Sequence, residues 1–194
     1  MLLSRSATAA WQHAGAVSHT DLGPLVIAAP LLAKDVRTRR PLGIYKVNGY
    51  APTSAAPATE WDAYYAALAQ AIARKPSGYV LVAYMDGNGS IGKGDFVPPD
   101  SLSVTANVGP YGIAHINASG RRLHSFMDLH SLASTATFFR KAHYGTWMHP
   151  HSRSLHQLDH ILISRADLCR VVDAGSSKAQ LIDTDHRAVL MRMR

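Results

Sequence analysis

A single cysteine, Cys169, gives this 194-residue chain no means of forming an internal disulfide framework, so a reducing compartment is expected. Long apolar runs are missing as well. No stretch approaches the roughly 18 consecutive apolar residues of a membrane span, and Leu2-Leu3-Ser4-Arg5 is too short for the apolar core of a signal peptide. Internal repeats and low-complexity tracts are absent. Charge is sparse: 17% of residues are charged against 47% hydrophobic, a balance that suits one sizeable core and a single soluble domain over residues 1–194. Acids are the scarcer sign. There are 20 Lys and Arg against 13 Asp and Glu, a net charge of +7, and 11 histidines can add to it where a phosphate lies close. An anionic partner is favoured over a membrane, with nucleic acid foremost, and an intracellular location, the nucleus included, is expected.

What the chain does contain is organised around Tyr79-Val80-Leu81-Val82-Ala83-Tyr84-Met85-Asp86-Gly87-Asn88-Gly89-Ser90. A short β-rich apolar run reads as a strand buried on both faces, and the carboxyl ends of such strands are where α/β proteins tend to place chemistry. Alternation would turn Asp86 and Asn88 to one face, where a carboxylate and an amide can meet one phosphate or hydrated cation. The same residues also make an ordinary tight turn.

Upstream, Leu25–Ala29 and Leu31-Leu32 read as strand, and Arg37-Thr38-Arg39-Arg40 reads as a solvated hairpin tip that can also touch a phosphate backbone. No helix or strand signal follows Met1. A second strand over Ile44–Tyr50 ends at Ala51-Pro52-Thr53. From Thr59, with a capping box to Asp62, the spacing predicts a helix whose Trp61, Tyr64, Tyr65, Leu68 and Ile72 share a core face before Pro76 and Gly78 stop it. Strand, helix and strand in succession call for a layered α/β sandwich. Glycines and prolines make residues 87–120 a long loop, of the kind that usually carries function. Asn117 then precedes a helix expected over Arg121–Leu132, with His130 half-buried on it. Strands are expected at Thr135–Phe139 and Gln157–Ile163, and Asp183-Thr184-Asp185-His186 leads into a last one. His149, His151, His156 and His160 lack both a cysteine and the helical spacing of a zinc site.

Taken in order, Tyr50-Ala51-Pro52-Thr53, Asp86-x-Asn88, Asn117-x-x-Gly120, Gly145-Thr146-Trp147, Gln157-Leu158-Asp159-His160 and Thr184-Asp185-His186 resemble the endonuclease/exonuclease/phosphatase superfamily. Within it they look most like the apurinic-type endonuclease domains of LINE-like non-LTR retrotransposons, and the match runs from about Met1 to Arg194. The resemblance implies a two-sheet, four-layer α/β sandwich of the deoxyribonuclease I-like type and hydrolysis of a phosphodiester or phosphomonoester with Mg²⁺ or Mn²⁺. By the same resemblance His186 is the base that activates water and Asp159 orients it. Asp86 positions the nucleophile and shares the metal with Asp185, Asn88 donates to the phosphoryl oxygens, Tyr50 lies against the scissile phosphate, and Thr146 and Asn117 support the site.

The Gly-Asp-Phe-Asn usual at the central strand is here Met85-Asp86-Gly87-Asn88. The family's amino-terminal Asn and metal-binding Glu belong to strands before the region matching Met1, so the domain is expected to lack its amino-terminal edge. Glu60, in the opening turn of a helix, cannot substitute for that Glu. A sheet edge left unpaired, weak metal affinity and poor nicking with DNA binding retained are the expectations. The rival readings are a catalytically inactive nucleic-acid-binding remnant and a phosphatase of the same fold.

Overall fold

The computed structural model describes residues 4–34, 38–94, 107–177 and 184–194; Leu2, Leu3, Arg37 and Asp183, which entered the sequence reading, lie outside them. Strand β1 (Val26–Lys34) runs through Pro30 without interruption and turns back antiparallel into β2 (Pro41–Tyr50). Arg39 and Arg40 lie at this hairpin tip, as expected, and Arg39 adopts φ 59°. Helix α2 (Ala58–Ala73) crosses over to β3 (Val80–Asp86), which pairs parallel with β2. Helix α3 (Ala118–Leu129), β4 (Leu132–Ser134), the small hairpin β5 (Trp147–Met148) and β6 (Leu155–His156), β7 (Asp159–Ser164), β8 (Val171–Ser176) and β9 (Val189–Met193) complete the order.

Five strands form one sheet in the order β1-β2-β3-β7-β4, while β8 and β9 form a second, two-stranded sheet. Strand alternation divides the apolar residues between two cores. Tyr45, Val47, Leu81, Ala83 and Met85 face α2 and α3, where they meet Trp61, Tyr64, Leu68, Leu123 and Met127. Val80, Val82, Ile161 and Ile163 face the opposite way and pack with Val171, Ala174, Val189, Met191 and Met193 of the second sheet. This is the two-sheet α/β sandwich expected from the sequence. The aromatic residues of α2 are core, with Trp61 stacked on Tyr65 at 6.0 Å between ring centroids.

Four local expectations are corrected. A helix, α1 (Arg5–His13), follows Ser4, whose Oγ accepts the Ala7 N–H at 3.3 Å as its amino-terminal cap, a signal carried by that single residue. Helix α2 starts at Ala58 behind Pro57, with no side-chain cap, so the box from Thr59 to Asp62 does not form. Helix α3 begins directly after Asn117, three residues earlier than the spacing suggested, and His130 caps its end with its ring 4.3 Å from that of Phe126. Residues Thr135–Phe138 form a 3₁₀ turn, not a strand. There the Thr137 hydroxyl donates to Ser134 O at 2.7 Å and the Thr135 hydroxyl to Ile161 O at 3.0 Å, so the threonines compete with the ladder for backbone partners.

Candidate active site

Three strand ends meet at one edge of the main sheet. Asp86 is the register partner of Tyr50 on one side and of Asp159 on the other. Two acids on adjacent antiparallel strands at the same register position must share a face, which is why Asp86 and Asp159 converge.

His186 enters from the chain before β9. Its Nδ1 lies 3.2 and 3.1 Å from the two carboxylate oxygens of Asp159, and its Nε2 stands 4.0 Å from Asp86 Oδ2. A carboxylate accepts only, so Nδ1 carries the proton and Nε2 is left as the basic atom facing Asp86. Burial raises the Asp159 carboxyl above the usual carboxylate range, and the neighbouring Asp86 adds to the rise. The Thr146 hydroxyl and the imidazole pull it back. A cavity of about 620 Å³ opens beside the cluster, walled by Asn48, Tyr84, Asp86, Asp159, His186 and Arg187.

The loop after β3 is locked from behind. Asn88 sits at φ 44°, a left-handed conformation that asparagine tolerates, and its N–H donates to Asp86 Oδ1 at 3.0 Å. Its side-chain amide donates to Ala51 O at 2.8 Å. The extended alternation that would have turned Asn88 beside Asp86 is therefore absent. The residues make the turn, and the amide joins the end of β3 to the end of β2. Asn117 completes the lock: its Oδ1 accepts from Gly120 N–H at 2.7 Å and Ser90 N–H at 3.0 Å, and its Nδ2 donates to Asn88 O at 3.3 Å. The helix start presses so closely on the loop that a Cβ at Gly120 would overlap the Ser90 carbonyl.

Asp159 is held by Thr146, whose buried hydroxyl accepts the Leu158 and Asp159 N–H groups at 2.9 and 3.0 Å. Thr146 and Asn117 thus both stand behind the cluster. Tyr50 does not wall the main cavity. It is 54% exposed and borders a neighbouring hollow with Leu25, Val26 and Ile27. Asp185 stands apart too: its Oδ2 accepts the Trp147 indole N–H at 2.7 Å. Among the described residues, the group able to hold a metal ion is Asp86, Asp159 and His186, whose ligand atoms lie within 4.8 Å of one another.

Two contributors escaped the sequence reading. Arg187 brings a cation to the cavity wall, and only its adjacency to His186 hinted at it. His160 turns into the core, where its Nε2 meets Gly89 O at 2.8 Å and ties β7 to the loop after Asp86. His149, His151 and His156 instead lie in a chain of ring contacts that includes Trp147. Glu60 is in the first turn of α2, outside the metal-binding group.

No family model matches the chain, and neither does any curated protein. Solved structures do. The 3′ phosphatase NExo from Neisseria, in a structure with a product DNA hairpin, aligns with TM-score 0.63 at 19% identity, covering 91% of this chain and 70% of that one. The endonuclease domain of TRAS1, a telomere-specific non-LTR retrotransposon, aligns with TM-score 0.61 at 14% identity over 92% and 68% of the two chains. The AP endonuclease LMAP from Leishmania major follows at TM-score 0.56 and 15% identity, over 88% and 54%. At such identities the likeness is one of fold. It is the deoxyribonuclease I-like fold, the one the ordered motifs had implied. No helix among the described residues is long and apolar enough to cross a membrane.

Proposed function

We propose that this chain is a divalent-metal-dependent phosphodiesterase acting on DNA, an endonuclease of the retroelement type. The observation that carries the reading is the Asp159–His186–Asp86 arrangement at the strand ends. The 4.0 Å between His186 Nε2 and Asp86 Oδ2 is a gap that one water can bridge, hydrogen-bonded to both. That water is the nucleophile. His186 Nε2 takes its proton as the water attacks phosphorus, Asp159 keeps the opposite nitrogen protonated and stabilises the imidazolium that results, and Asp86 fixes the line of attack.

The donor set fits a hard cation. Two carboxylates at the rim of an open cavity leave room for water and substrate oxygens, the manner in which Mg²⁺ is usually held. Mg²⁺ or Mn²⁺ held by Asp86 and Asp159 would supply charge for the non-bridging oxygens in the transition state. With only those two carboxylates in the group among the described residues, the metal affinity is low, so nicking is slow while DNA binding through the basic surface persists. Arg187 on the cavity wall supplies a cation for a phosphate oxygen.

Supercoiled plasmid incubated with the purified chain and Mg²⁺ tests the reading. Slow nicking that disappears with chelator and in His186→Ala supports it. Binding without any nicking across a wide Mg²⁺ and Mn²⁺ range would leave an inactive nucleic-acid-binding domain of the same fold. Release of phosphate from a 3′-phosphate end with no nicking would favour the phosphatase.

A further inference from the structure

Asp185 is the acid that adjoins the base, yet it lies outside the metal-binding group and one of its two carboxylate oxygens is engaged by an indole. Trp147 Nε1–H donates to Asp185 Oδ2 at 2.7 Å, and the backbones run together on either side of that bond. Trp147 and His186 form an antiparallel bridge, Met148 N–H donates to Asp185 O at 3.1 Å, and Arg187 N–H donates to Thr146 O at 2.6 Å. Thr146 in turn holds Asp159 through its hydroxyl. Both partners of the Asp159–His186 pair are therefore suspended from the same two adjacent residues, Thr146 holding the acid and Trp147 the segment that carries the base.

The indole is itself fixed in direction. Its ring lies 5.4 Å from that of His149 and 5.6 Å from that of His156, so the N–H cannot swing freely away from Asp185. A charged acceptor makes such a bond stronger than a neutral one. Besides the bridge, the segment around His186 is held by the Asp159 contact, by the Thr184 Oγ1 that accepts the His186 N–H at 3.2 Å and by the Ala188 O that accepts the Ser177 N–H at 2.8 Å.

We propose that Trp147 is a positioning residue, and that its bond to Asp185 sets the imidazole of His186 against Asp159, so that Asp185 serves geometry and not metal ligation. This rests on the nuclease reading for its rate consequences, but not for its structural ones. A base displaced by a fraction of an ångström loses the line to the water, and a misplacement of about 1 Å can cost on the order of 100-fold.

The test compares Trp147→Phe, which keeps the ring and removes the donor, with Asp185→Ala, Asp185→Asn and the Trp147→Phe/Asp185→Ala pair. Asparagine keeps an acceptor oxygen for the indole; alanine does not. Trp147→Phe and Asp185→Ala should each lower kcat about tenfold or more at unchanged KM and unchanged Mg²⁺ half-saturation, and the pair should be no worse than either alone. Asp185→Asn should stay near the parent. Independently of activity, nitrogen-15 spectra of the histidine rings should show one His186 tautomer, protonated at Nδ1, in the parent and Asp185→Asn, and a tautomer mixture in the other three variants. A raised Mg²⁺ requirement in Asp185→Asn, or an unchanged tautomer in Trp147→Phe and Asp185→Ala, would overturn the proposal. Should the parent itself not nick, the nuclease reading fails, and the ring spectra still decide the role of Trp147.

Discussion

Acid should loosen this fold through histidines that burial keeps neutral, His160 foremost. His160 is 1% exposed, with Nε2–H donating to Gly89 O at 2.8 Å and Nδ1 facing the Ser134 hydroxyl at 3.4 Å. Burial pushes its pKa down to about 4 from an ordinary 6.5; His124 adds to the depression and the Gly89 carbonyl opposes it. The unfolded chain therefore takes up a proton on this ring below pH 6.5 while the folded chain does not, so stability is complete above that pH and falls as acid is added. The window is two and a half pH units wide. At about 1.36 kcal/mol per unit the loss is about 2 kcal/mol at pH 5 and about 3 kcal/mol at pH 4, a large share of a typical domain's 5–15 kcal/mol. Urea unfolding at pH 7.5, 6 and 5 would measure it, with His160→Gln as reference, since the amide keeps a donor and cannot titrate here. The parent should lose about 2 kcal/mol more than the variant between pH 7.5 and 5. Equal losses in both would refute the reasoning and move the acid sensitivity to other histidines.

In a nicking assay Asp159→Asn should cut the rate by about 10³-fold or more, because an amide donor facing Nδ1 stabilises the wrong tautomer; a rate within tenfold of the parent would remove Asp159 from its orienting role. His186→Ala should abolish Mg²⁺-dependent nicking yet leave DNA affinity within a few-fold, a split that filter binding on the same preparations would show. Gly120→Ala, whose methyl would strike the Ser90 carbonyl, should destabilise the fold by about 3 kcal/mol or more or leave it insoluble; a variant with parental stability in urea would mean that the helix and loop can part freely. DNA binding should weaken linearly on a log–log plot against salt, with a slope set by the number of phosphates contacted, and a flat salt dependence would argue against a phosphate-backbone partner.

The apolar run ending at Asp86, the aromatic face of α2 and the ordered motifs determined the α/β sandwich and the strand ends, because hydrophobic periodicity and turn chemistry are local properties that survive without neighbours. The resemblance that the ordered motifs carry also brought Asp86, Asp159 and His186 forward as partners. What sequence spacing could not decide was which polar groups each motif residue would meet. Asn88 lies two residues from Asp86, yet its amide bonds a carbonyl 37 positions away, and Asp185 adjoins the base but bonds an indole 38 positions away. His149 and His160 look alike in sequence, and burial separates them: one sits half-buried in ring contacts, the other is a neutral donor in the core. Such pairings depend on strand register and on how the layers close over each side chain. Those are tertiary quantities, since an unpaired polar group pays a desolvation penalty only once the fold has removed its water.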